Sequence, residues 1–284
     1  MEFKTLEEKC KFYRGLTDYK LEPKQHNIIM LDGRSFSKMI KNKYKRPFDD
    51  EFINMMNETA IYVCKNVQGC KIGYVQSDEI SLYFTDIDTE KTSLFFGGRL
   101  CKIQSIVASL AAAKFNQLAF ANAIKKRSYA VKKMDDDETL YSLSDATSAI
   151  LEMEPVQFDC KVWSVPTIND VYAWFLFRQN DCIKNSKQQA SQTYCSHKEL
   201  LNLTTDEQIK VLKDKTGIDW NTSYDDGKKY GRLITRVSKE ITTTVKIQDS
   251  EETVSCVRKS WAAENSFVFN ENRQLFLKLL ENEK

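Results

Sequence analysis

Two groups of acidic residues stand where short apolar runs end. Asp32 follows the run from Ile28 to Leu31 and precedes Gly33; Asp78 and Glu79 lie in QSDE, between IGYV and ISLYF. An apolar run ending in Asp-Gly reads as a buried strand breaking into a tight turn. The second pattern reads as two strands joined at a bend. Carboxylates on the ends of neighbouring strands, about 4.8 Å apart, can share a pair of divalent cations. Two magnesium ions held about 3.5–4 Å apart clamp the attacking and leaving oxygens of a phosphoryl transfer. Magnesium takes few protein ligands, so two aspartates, a carbonyl and substrate phosphates suffice. Either acidic group alone reads more simply as a solvated turn, and their coincidence in one frame carries the chemical reading.

The elements that would position these acids follow from periodicity. Residues 48–66 carry apolar positions at Phe52, Met55, Met56, Thr59, Ala60 and Val63, a helical spacing with acids in its first turn. A longer helix is expected over 95–124, with Phe96, Leu100, Ile103, Val107, Leu110, Lys114 and Leu118 along one stripe. Arg99 and Lys102, three apart, share a face beside it and could hold a triphosphate near the carboxylates. VQFDCKVWSVP is a strand ended by Pro166, and Asn169 is placed to cap the helix that follows. The order β-α-β-β-α-β is α+β, the ferredoxin-like arrangement of a polymerase palm. Additional helices and a carboxyl-terminal extension of alternating short helices and strands complete it. The expected division is 1–135 for the first part of the palm with its metal and triphosphate site. Residues 136–240 complete the palm and add a helical region, and 241–284 form the extension, all in one continuous globular unit.

Composition narrows the classes. Lys and Arg number 42 against 40 Asp and Glu, so net charge neither demands nor excludes nucleic acid, while KNKYKR and KKRSYAVKK are local basic clusters. The apolar fraction of 42% suits a globular fold. No apolar run approaches the roughly 20 residues of a membrane span, and the amino-terminal residues do not read as a secretory signal. The eight cysteines contain no CxxC pair and are expected as free thiols, and the 2 histidines, His26 and His197, leave no His-rich zinc site.

In this order and at this spacing, LDGRSF, QSDEISL, FFGGRLCKIQSIVAS, FDCKV and RQNDCIKNS resemble the tRNA-His guanylyltransferase superfamily. SHKEL and GIDWN resemble its bacterial-type branch. The likeness runs over about 28–235, with a fainter echo beyond. It implies that Asp32, the Gly33 carbonyl and Asp78 hold two Mg2+ ions, with Glu79 as the supporting acid of the catalytic set. It implies that the loop from Asp32 through Gly33, Arg34, Ser35 and Phe36 to Ser37 cradles a nucleoside triphosphate, ATP, GTP or another. Arg46, Ser77, Arg99 and Lys102 fall on phosphate-contacting positions. Arg178, Asp181 and Asn185 share a helical face and, with His197 and Lys198, are the contacts offered to tRNA or a second nucleotide. A buried polar network holding the helix to the palm is the alternative for that face. The resemblance further implies a homotetramer that acts on tRNA, has no membrane partner, and is cytoplasmic or organellar.

One departure bears on specificity. Where guanylyltransferases that add an untemplated G have a histidine after Asp-Cys, this chain has Ile183. That favours templated repair or editing of 5′-truncated tRNA in the 3′–5′ direction over addition of a single G. A palm-type cyclase would want Gly-Gly-Asp/Glu-Glu-Phe at the hairpin, where this chain reads QSDEI. A non-catalytic RNA-binding module would want exposed aromatics on a central strand, which NIIML does not offer.

Overall fold

The computed structural model describes residues 2–36, 39, 43–134, 154–247 and 250–281. A first helix, α1 (Leu6–Gly15), buries none of its residues and leads to the central strand, β1 (His26–Gly33). β1 pairs antiparallel with β3 (Glu79–Thr85) on one side and with β4 (Phe158–Val165) on the other; β2 (Cys70–Gln76) lies beyond β3. The order β4-β1-β3-β2 is that of the expected ferredoxin-like palm.

Helices cover both faces. α2 (Asp50–Asn66) and α3 (Leu100–Met134) pack on one, against Ile29, Leu31, Ile80, Leu82 and Phe84. α4 (Ile168–Tyr194) packs on the other, with Val171 and Phe175 against Ile72, Tyr74 and Tyr83. β2 and β3 are therefore buried along their whole length, the condition that makes them read as continuous apolar runs. α2 buries the six residues its spacing predicts, and Cys64 besides. No helix among the described residues is long and apolar enough to cross a membrane.

Three expectations are corrected. The long helix begins at Leu100 because Phe96 and Gly97 take left-handed backbone angles in the tight turn Phe95–Gly98. Its buried line is Ile103, Val107, Ala111, Phe115 and Ala119, with Leu110 and Leu118 flanking it. Small Ala111 and Ala119 let the helix lie close to the sheet, while Phe115 fills the space beside Phe36 and Phe158 at 5.2 and 6.0 Å. The fourth helix is capped by Thr167, in a reciprocal box with Asp170, and Asn169 instead accepts from Arg273 at 3.0 Å.

The third correction concerns the carboxyl-terminal part. Short helices α5 (His197–Leu200), α6 (Thr205–Thr216), α7 (Trp220–Ser223) and α8 (Asp226–Tyr230) give way to one long hairpin, β5 (Arg232–Ile247) and β6 (Ser250–Asn265). Only Arg232, Leu233 and Ile234 pair with β2, so the rest is a two-stranded ribbon. α9 (Arg273–Glu281) returns to α4. Buried Gln179 fastens this region to α4, donating to the carbonyls of Tyr230 and Phe267 and accepting from the Phe269 amide at 2.7 Å.

Gly69 sets the entry to β2, and with it the hairpin. It has φ +77°, and an added Cβ would lie 2.3 Å from the Thr85 carbonyl oxygen. Gly69→Ala is expected to destabilise the fold by roughly 2 kcal/mol or more. The check is the urea midpoint, and an unchanged midpoint would mean the turn relaxes freely.

Candidate active site

The register of the sheet gathers the acids at one end. Asp32 stands directly opposite Glu79 on β3 and opposite Asp159 on β4. Residues opposite each other in an antiparallel pair project to the same face, so three carboxylates flank one another on the face that carries α4. Asp78 joins them at the hairpin tip, where Ser77 has φ +45° and the Gly33 amide donates to the Asp78 carbonyl at 3.2 Å. Asp159 was not singled out in the sequence; its place is fixed only by pairing with β1.

Gly33 has no room for a side chain, because the Phe36 ring folds back to 2.4 Å from where a Cβ would stand. Phe36 is a core residue, packed on Phe52, Phe115 and Phe158. Of the expected triphosphate loop, Arg34 and Ser35 line a separate pocket with Met39, Lys43 and Gln157. Ser37 lies outside the described residues.

Glu79 does not face the solvent with the aspartates. Arg178 on α4 grips it bidentately, Nε to Oε1 at 2.7 Å and Nη2 to Oε2 at 2.6 Å, and donates its Nη1 to Asp181 at 2.7 Å. Gln76 and Ser81 approach the same carboxylate at 3.4 and 3.5 Å. Both Glu79 oxygens are engaged and its side chain is 8% exposed, so this carboxylate is occupied by Arg178 within the chain. Arg178 and Asp181 are the polar network that holds the helix to the palm.

Electrostatics set the other carboxylates apart. Burial first, and then the neighbouring Asp159, push the Asp32 carboxyl above its ordinary range, against the pull of Lys161 and Arg178. Burial also raises Asp78; hydrogen bonds from Ser77 and its own backbone oppose this, and Asp32 adds to it. Despite its own burial, Arg178 is held above the usual range by Glu79 and Asp181.

Beside the hairpin tip, Arg46, Ser77, Asp78, Gln189 and Gln192 line a pocket. It adjoins one of about 600 Å³ whose walls include Phe48, Asp49, Gln76, Asn185 and Arg232. Arg232 is 5% exposed; it donates to Asn57 at 3.0 Å and to the Gly227 carbonyl at 3.3 Å, and its Nη2 has no partner. His197 lines a third pocket with Arg46 and Gln192, and Lys198 is exposed. Ile183 is turned away, packed on the cluster of Ala190, Leu212 and Trp220.

Arg99 and Lys102 are not brought to the carboxylates within the chain. Phe115 is level with Gly33, through Phe158. Sixteen residues of helix separate it from Arg99, about 24 Å at the α-helical rise. Arg99 instead pairs with Asp18 at 3.3 Å, and Lys102 lies over the Phe96 ring.

The residues fit a divalent cation. Asp32, Asp78 and Asp159 crowd one end of the sheet, the first two with raised carboxyls, and the cations acting on Asp32 are Lys161 and an Arg178 already committed to Glu79 and Asp181. Among the described residues no three of His, Cys, Asp and Glu form a metal-holding group. Two aspartates with a backbone carbonyl, the set the resemblance implies, would suit magnesium, which takes few protein ligands.

A family model described as tRNAHis guanylyltransferase matches residues 7–166. An uncharacterised protein of Acanthamoeba polyphaga mimivirus is 28% identical over 265 residues, 87% of this chain and 82% of the viral protein. tRNA(His) guanylyltransferase 1 of Arabidopsis thaliana is 25% identical over 255 residues, 86% of this chain but 39% of the plant protein. The chain thus spans well under half of that relative's length. Among solved structures, a bacterial tRNA(His) guanylyltransferase-like protein in complex with ATP superposes with a TM-score of 0.75 at 24% identity, over 97% of this chain and 99% of that one. A bacterial tRNA(His) guanylyltransferase-like protein in complex with GTP gives 0.66 at 22% identity, over 97% of this chain and 98% of that one. At these identities the superpositions show the fold.

The Glu79–Arg178 pair generates a stability test. Glu79→Ala leaves a largely buried guanidinium with Asp181 as its one remaining carboxylate partner and is expected to cost about 3 kcal/mol in urea unfolding. Arg178→Ala should cost a similar amount, and the double variant less than the two losses together. Strictly additive losses would mean the two groups do not act as a pair.

Proposed function

This chain belongs to the tRNAHis guanylyltransferase family of nucleotidyltransferases, and we propose that it adds nucleotides to the 5′ end of tRNA in the 3′–5′ direction. The reaction is template-dependent repair or editing of 5′-truncated ends. The observation that carries this reading is the meeting of Asp32 and Asp78 at one end of the sheet, beside a pocket lined by Arg46 and Ser77.

In this reading Asp32, Asp78 and the Gly33 carbonyl hold two Mg2+ ions. Bound there, the ions would acidify the attacking hydroxyl and offset charge on the departing phosphates. Arg46 and Ser77 orient the triphosphate of ATP, GTP or another nucleotide, and the adjoining pocket receives its base against Phe48. Asp159 adds to the field that favours cations. Glu79 and Arg178 keep α4 seated so that Asn185 and Gln189 face the pocket. Arg99 and Lys102 can reach such a triphosphate only from a second copy of the chain, which supports the homotetramer that the resemblance implies. Templated selection is supported by Ile183, whose apolar side chain is spent on core packing and offers a base no hydrogen bond.

Asp32→Asn and Asp78→Asn should each lower incorporation by roughly a thousand-fold, the scale of several kcal/mol of lost charge stabilisation. Magnesium should raise the Tm of the unaltered protein and leave that of either variant unmoved. An equal Tm rise in all three would remove the aspartates from the metal site.

On tRNAs lacking the first 5′ nucleotide, the nucleotide that pairs with the facing base should be the one incorporated. The measurement offers each nucleotide separately to substrates carrying each of the four facing bases. Addition of G whatever the facing base would replace repair with single-G addition.

A further inference from the structure

The third pocket, which shares Arg46 and Gln192 with the pocket at the hairpin tip, has a volume of about 880 Å³. That lies within the range of about 300–1,000 Å³ that takes a nucleotide-sized ligand. Leu200 and Gln208 are buried and form its floor, while His197 and Leu201 are exposed at its rim. Gln208 is 8% exposed. Its Nε2 donates to the Leu203 carbonyl at 3.0 Å, and its Oε1 has no partner. Turning the amide over would set its oxygen against that carbonyl, so the unpaired acceptor is fixed in place. A buried acceptor without a donor is destabilising, and a ligand that brings an N–H relieves it. Among the described residues that line the pocket none is acidic. The acids nearby in the chain are engaged, Glu199 with Ser196 and Lys215, and Glu207 with Thr204. Arg46 therefore sets the charge at the mouth.

We propose that this pocket is a second nucleotide subsite, selective for adenine, with the base amine on Gln208 Oε1 and the phosphate on Arg46. The floor asks for a donor and the mouth for an anion, and a nucleotide carrying an amine supplies both. Adenine alone of the four RNA bases has an exocyclic amine and no carbonyl, so it meets a fixed acceptor with no opposing oxygen. Leu200 and Leu201 give the base an apolar wall. Arg46 belongs to both pockets, so the phosphate of a nucleotide held here lies toward Ser77 and Asp78. An adenine nucleotide and the base-paired nucleotide can then be held together, one on each side of the hairpin tip, without competing for the pocket beside Phe48. That role rests on reading Asp32 and Asp78 as the site of 5′-end chemistry, whereas the adenine selectivity stands on the pocket's own residues.

The test uses AMP and IMP, which differ in carrying an amine or a carbonyl at the same ring carbon. Both are titrated against the protein by calorimetry, and magnesium-dependent incorporation into a 5′-truncated tRNA is recorded alongside. AMP is expected to bind roughly ten-fold tighter than IMP, the scale of one buried hydrogen bond left unmade. Gln208→Met, which keeps the volume but removes the acceptor, should bring AMP down to the affinity of IMP. Because that change also removes the bond to Leu203, a second variant spares the packing. Leu201→Glu, at a position 55% exposed, sets a carboxylate at the rim and should weaken AMP several-fold by repelling its phosphate. Failure to bind AMP, equal affinity for AMP and IMP, or AMP binding unchanged in either folded variant overturns the subsite. Incorporation by a protein that does not prefer AMP overturns the subsite alone and leaves the carboxylate reading standing. AMP selectivity without incorporation supports the subsite and removes that reading.

Discussion

The buried ion pair between Glu79 and Arg178 joins the two layers of the palm at the point where the acids converge. Glu79 is the first residue of β3, so its backbone fixes the hairpin tip that carries Asp78, and its register fixes Asp32. Arg178 belongs to the helix on the other face, and its second bond, to Asp181, stiffens the turn leading to Asn185 and Gln189. A neutral pair could hold the layers together as well, since a buried ion pair is weak evidence of stability in itself. The bidentate fork adds direction: it allows one azimuth of the helix over the sheet. Pocket walls and carboxylates both inherit that azimuth.

The acids beside this pair are in tension. The charge of Asp159 raises the proton affinity of Asp32, that of Asp32 raises Asp78, and Arg178 is already committed to Glu79 and Asp181. A protein selected for stability alone would not place three carboxylates at the ends of adjacent strands. Such unbalanced charge marks functional sites more often than structural ones, and a divalent cation is the simplest group that relieves it. The buried, half-partnered Arg232 is the opposite case, a cation beside the adjoining pocket with one donor unused.

Much of this was legible in the residues. The spacing of α2 named its buried positions because helical periodicity and apolar character coincide there. LDG and QSDE marked the carboxylates because strands break visibly at charged turns. Asp159 was hidden, since one acid in an edge strand looks like ordinary alternation until the register places it opposite Asp32. Glu79 was expected as the supporting acid of the catalytic set, and one residue of strand period turns it away from the surroundings of Asp78 and onto the Arg178 fork. The stripe on α3 slipped because alanines score as weak apolar residues, whereas in contact with a sheet they mark its closest approach.

Arg99 and Lys102 show where linear reading fails most. Lys102 lies in the first turn of the helix and Arg99 just before it, but nothing local says at which end of the sheet that helix starts. α3 begins beside the segment 19–21, at the amino end of β1, and passes the acids only at Phe115, some 24 Å along its axis. The chain therefore carries its acids at one end of the palm and these two cations at the other. One copy cannot join them, because the sheet between is rigid and buried on both faces. Two copies related by a twofold axis can, each bringing its cations to the other's acids, and a self-complementary contact of that kind closes on itself. If the cations serve the triphosphate, then the site is completed by assembly, and the fold's separation of charge is what makes assembly necessary.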